Sequence, residues 1–114
     1  MGTQAKADTF VIRPNSDNPI QLNYDLLRKA VLVLRAVNHK LRQSVIILLS
    51  ENKKLTVTEI YVKLRLEQSV ASQHLAILRR SGVVQTDREG KFIYYSINQD
   101  RVAEVAQLVE ELAR

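Results

Sequence analysis

Apolar residues recur every three or four positions through most of the chain after residue 21, which is the period of an amphipathic helix. The spacing predicts a first helix that Asn23 can cap and that runs to about residue 37. A second helix follows, with Asn38 as its candidate cap. A third, short helix is predicted to begin at Thr56 or Thr58, and Asn98 can cap a last helix.

Residues 67–81 form the helix around which the rest of the chain is organised. One face is apolar, with Ala71, Leu75 and Leu78 at helical spacing. The opposite face is small and polar, with Ser69, Ser72, Gln73 and Ala76. An ordinary surface helix would carry Lys and Glu there. Because Gln and Ser can hydrogen-bond to base edges or phosphates, the pattern predicts a DNA recognition helix.

The neighbouring segments complete a known arrangement. Residues 64–66 form a tight connection between the short third helix and the 67–81 helix, which is typical of a helix-turn-helix. Gly82 can end the helix, and the period then changes to two. The β-rich runs 83–88 and 91–97 flank Glu89-Gly90, a two-residue hairpin connection. The predicted fold is mainly α with a β-hairpin wing over residues 84–97, an α+β winged helix-turn-helix.

Residues 1–21 lack helical periodicity and contain a turn-rich run at 14–19. We expect a flexible N-terminal arm over residues 1–21 and a single winged-helix domain over residues 22–114. A chain of 114 residues with 46% hydrophobic content suits one such domain.

The last helix has a larger apolar side than a small monomer needs to cover. We assign this side, with that of the first helix, to a homodimer interface. The alternative is that the two helices pack on each other within one chain, and both can hold at once. The interface residues we expect are Leu26, Ala30, Val31, Leu34, Val102, Val105, Val109 and Leu112.

Composition narrows the function classes. The sequence has no Cys, which excludes disulfides, thiolate metal sites and thiol redox sensing. It has neither an apolar run long enough to span a bilayer nor a signal peptide, so we expect a cytoplasmic protein. The net charge is +5, with a balance of +8 in residues 28–91 and −3 elsewhere. This uneven charge fits a polyanion-binding face, although a solvated surface would explain it equally well.

Residues 24–110 resemble the ArsR/SmtB family of bacterial winged-helix repressors. The resemblance is strongest in QSVASQHLAILRRSGVV and in the later REGKFIYYSI, which are similar to the family's recognition helix and wing. It implies a homodimer whose recognition helices enter successive major grooves of an inverted repeat. The base-edge candidates are Gln68, Ser69, Ser72 and Gln73. The phosphate or minor-groove candidates are Arg42, His74, Arg79, Arg88 and Lys91.

The sequence departs from the family at two kinds of position. Arg65 stands where the turn before the recognition helix usually has Gly. Metalloid sensors of the family carry C-V-C where this chain has residues 56–58, Thr-Val-Thr, and threonine hydroxyls are poor ligands for soft ions. The last helix also lacks His. We therefore expect no metal site and no cofactor.

Other function classes have less support. No paired acid and base, Gly-rich phosphate loop or metalloprotease motif is present, so we expect no enzyme activity. His39 is expected to be an exposed histidine without a specific role. A winged helix used as a protein-interaction module, without specific DNA binding, is the main alternative. A DNA-binding sensor with an unidentified small-molecule effector between the first and last helices is a third reading.

Overall fold

The computed structural model describes residues 8–13 and 15–114. They divide into two compact units between Leu32 and Val33. The first unit contains the strands β1 (Thr9–Ile12) and β2 (Ile20–Asn23) and most of helix α1 (Tyr24–Val37). The second unit contains the end of α1 and the remaining elements. These are α2 (Lys40–Glu51), β3 (Leu55–Thr56), α3 (Val57–Leu64), α4 (Gln68–Arg80), β4 (Val84–Glu89), β5 (Phe92–Ile97) and α5 (Gln99–Ala113).

In the first unit, β1 and β2 form an antiparallel hairpin that was not predicted. Thr9 pairs with Asn23, and the Tyr24 amide donates to the Asp8 carbonyl at 2.6 Å. The Phe10 ring lies 5.0 Å from the Tyr24 ring, measured between centroids. Four-residue strands separated by a turn-rich run leave too little alternation in the sequence to be detected. Of the predicted arm, residues 1–7 and Pro14 lie outside the described residues, and the division at residue 21 stays a prediction.

The second unit is a winged helix-turn-helix, as predicted. Its sheet has the order β3-β5-β4, with both pairings antiparallel. Buried side chains from the helices and the sheet meet in one core beneath α4. They are Ala36, Val45, Leu49, Leu55, Ile60, Leu75, Leu78, Val83 and Val84. Burial of one side of α4 in this core leaves its opposite side at the surface.

Helix caps account for where most helices begin. Asn23 caps α1 and Asn98 caps α5, each accepting from an amide three residues later at 3.0 and 3.2 Å. Thr56, the first of the two candidates, caps α3 in a reciprocal capping box with Glu59. The predicted Asn38 cap of α2 was wrong. The cap is His39, whose Nδ1 accepts from the amides of residues 41 and 42 at 3.2 and 3.4 Å.

The wing also differs from the prediction in two details. Its connection is Gly90-Lys91 rather than Glu89-Gly90, because Glu89 pairs with Phe92 and remains in β4. Gly90 has a φ of 63°, which glycine adopts without steric cost. Strand β3 was not predicted, since two residues carry no detectable alternation. It adds a third strand when Leu55 pairs with Tyr95.

Candidate nucleic-acid interface

The two faces of α4 are divided as the sequence predicted. Ala71, Leu75 and Leu78 are buried. The outer strip is exposed to solvent along its whole length, through Gln68, Ser69, Ser72, Gln73 and Ala76. These side chains are short or flexible, so another surface can approach the helix backbone closely. The helix thus presents hydrogen-bonding groups from a rigid base, as base-edge reading requires.

The connection before α4 sets the position of that strip. Arg65 has φ 57° and ψ 47°, the left-handed conformation that ends α3. The Leu66 amide then donates to the Tyr61 carbonyl at 2.9 Å. Glu67, the cap position of α4, makes no side-chain cap hydrogen bond. The first-turn amides of α4 therefore have no side-chain cap. They lie at the positive end of the helix dipole, beside the exposed Gln68 and Ser69.

Arg42 joins three helices rather than extending into solvent. Its Nε donates to the Ala36 carbonyl at 2.7 Å and its Nη2 to the Arg35 carbonyl at 3.1 Å. Its Nη1 lies 3.3 Å from Nδ1 of His74. These contacts fasten the end of α1 and the start of α2 to the recognition helix. Arg42 therefore has a structural role that the sequence did not indicate, and its predicted phosphate contact stays a prediction.

His74 lies between this guanidinium and His39. The two imidazole rings are 4.9 Å apart, centroid to centroid. Burial lowers the pKa of His74 below its usual value of 6.5, and the nearby His39 and Arg42 lower it further. The ring is therefore neutral at pH 7, and its Nδ1 can accept from Arg42. His39 is exposed as expected, yet it caps α2, a role that its position before a helix start could have indicated.

The wing carries the predicted basic residues near its tip. Both Arg88 and Lys91 are exposed, and Arg88 Nε donates to the Gly90 carbonyl at 3.2 Å. Lys54 is a further basic residue at the wing. It pairs with Glu89 and its Nζ lies 4.6 Å from the centroid of the Tyr94 ring. The hydrogen bond to Glu89 raises the pKa of Lys54. Local sequence carried no signal for this contact, because Lys54 and Glu89 are 35 residues apart.

A groove of about 410 Å³ separates α4 from β5. Two of the predicted site residues, Ser72 and Arg79, line it. Arg80 and Tyr95, which are not among the predicted contact residues, line it as well. The groove thus brings two guanidinium groups and two hydroxyl groups together between the recognition helix and the wing.

Within residues 8–13 and 15–114, no three or more His, Cys, Asp or Glu side chains are grouped closely enough to hold a metal ion. No helix in that part of the chain combines the length and the apolar character that crossing a membrane requires.

Comparison with known proteins places the chain in a family. Residues 39–86 match the family described as bacterial regulatory protein, arsR family. The transcriptional activator HlyU of Vibrio cholerae is 37% identical over 84 residues, which are 74% of this chain and 77% of HlyU. This chain belongs to the arsR family. The resemblance seen in the recognition helix and wing is confirmed, and the chain is a transcriptional regulator.

Solved structures support the same assignment. The transcriptional repressor PagR of Bacillus anthracis is 36% identical with a TM-score of 0.62, over 76% of this chain and 99% of PagR. A homodimeric winged helix-turn-helix DNA-binding domain from Mycobacterium bovis, a possible ArsR-family regulator, is 29% identical with a TM-score of 0.65. That match covers 78% of this chain and 82% of the domain. The predicted winged-helix fold is confirmed, and a pure protein-interaction module is not favoured.

Proposed function

We propose that the protein is a homodimeric repressor that binds an inverted repeat in double-stranded DNA through α4 and the wing. The observation that carries this proposal is the exposed, uncharged polar strip of α4 above a fully buried apolar stripe. Gln68, Ser69, Ser72 and Gln73 are the proposed base-edge contacts. His74, Arg79, Arg88 and Lys91 are the proposed phosphate or minor-groove contacts, with Arg42 as a further candidate.

Exposed apolar residues on α5 support the homodimer. No residue of α5 is fully buried, and Val109 and Leu112 remain 45% and 71% exposed. On α1, Leu26 is 64% exposed. Apolar side chains left exposed three residues apart on one side of a helix, as Val109 and Leu112 are, are typical of an interaction site. We propose that the eight residues predicted from the sequence on α1 and α5 form the interface. In the dimer, helices of the partner subunit would cover them.

Repression is the effect on transcription that we propose. A dimer bound to its operator blocks access to the DNA without any further protein contact. The name of PagR describes a repressor and that of HlyU an activator, so both effects occur among the relatives. Since its relatives are named as regulators of transcription, we also propose that the protein acts in the cytoplasm and performs no catalytic step. An effector between the first and last helices stays a prediction.

Anisotropy titration tests the proposal. Duplexes enriched by the protein from a random pool, and DNA upstream of its own gene, are compared with scrambled duplexes at two salt concentrations. We expect the selected duplex to bind at least about a thousandfold more tightly than the scrambled one. Equal affinity for the selected and the scrambled duplex, with a steep salt dependence, would mean that the protein binds DNA through charge alone and has no sequence preference. Absence of binding at low salt would favour the protein-interaction module.

A further inference from the structure

We infer that the groove between α4 and β5 binds one phosphate of the DNA backbone, through Arg79, Arg80 and the Tyr95 hydroxyl. This inference rests on the proposed function and adds to it two contact residues, Arg80 and Tyr95. It also moves Ser72 from the base-edge contacts to the backbone contacts, because Ser72 lines the groove.

The groove has one wall from each element. On α4, Ser72, Ala76 and the arginine pair at 79–80 follow one another at intervals of three or four residues, so they lie along one side of the helix. That side faces Tyr95 of β5 across the groove. Ala76 has the smallest of these side chains and lies between Ser72 and Arg79, which leaves room for a ligand in the middle of the groove.

The charge of the groove favours an anion. No Asp or Glu lines it, and its polar side chains can all donate hydrogen bonds. Neither Arg79 nor Arg80 forms a salt bridge with any other residue of the ranges 8–13 and 15–114. Two adjacent guanidinium groups without a carboxylate partner match the charge and the acceptor oxygens of a phosphate.

The position of the groove favours the backbone of DNA over a free anion. If α4 enters a major groove and the wing tip reaches the adjacent minor groove, the strand that separates the two grooves must cross between α4 and the wing. The groove is open to solvent rather than enclosed. A continuous strand can pass through such a shape, whereas small-molecule sites usually enclose most of the ligand.

The test neutralises one phosphate at a time. Selected operator duplexes carry a single methylphosphonate, which removes the charge, at successive positions of one half-site. We expect substitution at one position to weaken wild-type binding by about tenfold or more, as for a hydrogen bond between charged groups. The Arg80→Ala variant should bind the unmodified duplex about as weakly as the wild type binds the duplex modified at that position. It should lose sensitivity to the methylphosphonate at that position alone. Tyr95→Phe retains the ring and removes only the hydroxyl group. Its effect on affinity and that of the methylphosphonate at the same position should be less than additive.

Two readouts separate this site from base reading. Arg80→Ala and Tyr95→Phe should leave the preference for the operator over scrambled DNA unchanged, since phosphate contacts carry no sequence information. Arg80→Ala should also reduce the slope of log affinity against log salt by about one. Arg114→Ala, which removes an exposed charge at the end of α5, is the matched control and should change neither. Thermal melting of each variant checks that it is folded.

The outcomes distinguish this inference from the proposed function. Specific operator binding with full sensitivity of both variants at every methylphosphonate position would overturn the inference and leave the proposed function intact. Loss of specific binding by the wild type would overturn both. Inorganic phosphate, titrated and followed by its ³¹P signal, gives the remaining case. Binding of free phosphate that requires Arg80, without coupling to any backbone position, would assign the groove to a small anion and overturn the inference.

Discussion

Gln73 is central to base reading at the scale of single residues. Its amide is exposed on the outer strip of α4, while its neighbours at 71 and 75 are fixed in the core. An amide can donate to and accept from one adenine edge, and such a bidentate contact discriminates by about 1–3 kcal/mol. We expect Gln73→Ala to lose about that much operator affinity and to relax base preference at one position per half-site, measured by anisotropy on single-base variants. Unchanged affinity and preference would mean that α4 has another orientation on DNA.

His74 makes stability depend on pH. Its pKa is lowered in the folded protein by burial first, and then by His39 and Arg42. The unfolded chain therefore binds a proton more readily near pH 6.5, so stability is fully present above that pH and falls as the pH drops through it. We expect the melting temperature to decrease from pH 7.5 to pH 5.5. In His74→Gln the decrease should be smaller, whereas an equal decrease would assign the effect to other groups.

The turn between α3 and α4 is one of the elements at which this chain departs from the family pattern. Arg65 is held in the left-handed conformation, which costs a non-glycine residue about 1 kcal/mol. Glycine avoids this cost, although it also increases the entropy of the unfolded chain. We expect Arg65→Gly to raise the free energy of unfolding by up to about 1 kcal/mol in urea titrations, with α4 unmoved. As a control, Lys63→Gly inside α3 should lower it by about as much. A destabilised Arg65→Gly would show that the arginine side chain contributes contacts of its own.

The wing is expected to contribute to the affinity for DNA, whereas α4 is expected to contribute the base preference. Lys91 lies in the exposed hairpin connection, where it can approach phosphates without reading bases. We expect Lys91→Ala to weaken binding to operator and scrambled duplexes by the same factor, and to reduce the salt slope by about one. Titrations of both duplexes at several salt concentrations measure this. If the slope did not change, the wing tip would lie outside the DNA contact.

Sequence predicted the elements whose signals are local. The caps at Asn23 and Asn98 and the two faces of α4 each depend on residues within a few positions of one another. The sequence missed contacts that depend on chain reversal, such as β3 pairing with β5 and Lys54 pairing with Glu89. It also preferred Asn38 to His39 as a cap, because asparagine is the commoner cap and the choice depends on which backbone enters the helix. Arg80 of α4 and Tyr95 of β5 come together only when the helix and the wing have folded against each other.

At the scale of the whole molecule, specific binding depends on the proposed dimer. Two linked recognition helices about 34 Å apart bind two half-sites, so the second contact is made at high effective concentration. Leu112 suits a test because it is 71% exposed in the single chain. A glutamate there should cost little stability in a monomer, and it would place a charge in a dimer interface. We expect Leu112→Glu to weaken dimerisation at least about tenfold in sedimentation velocity and to reduce operator affinity more than affinity for a single half-site.

Gln107→Glu is the control, since it adds a carboxylate on the opposite side of α5 and should leave the dimer intact. It also removes the hydrogen bond that the Gln107 amide donates to Glu111 at 3.1 Å, so thermal melting checks that the variant is folded. The comparison of full operator with half-site separates assembly from recognition. A variant that is monomeric but retains half-site binding has lost only the partner contact, and its one recognition helix still reads DNA. A variant that remains dimeric would instead move the interface away from the end of α5. The exposed apolar residues of α1, such as Leu26, would then be the next positions to change.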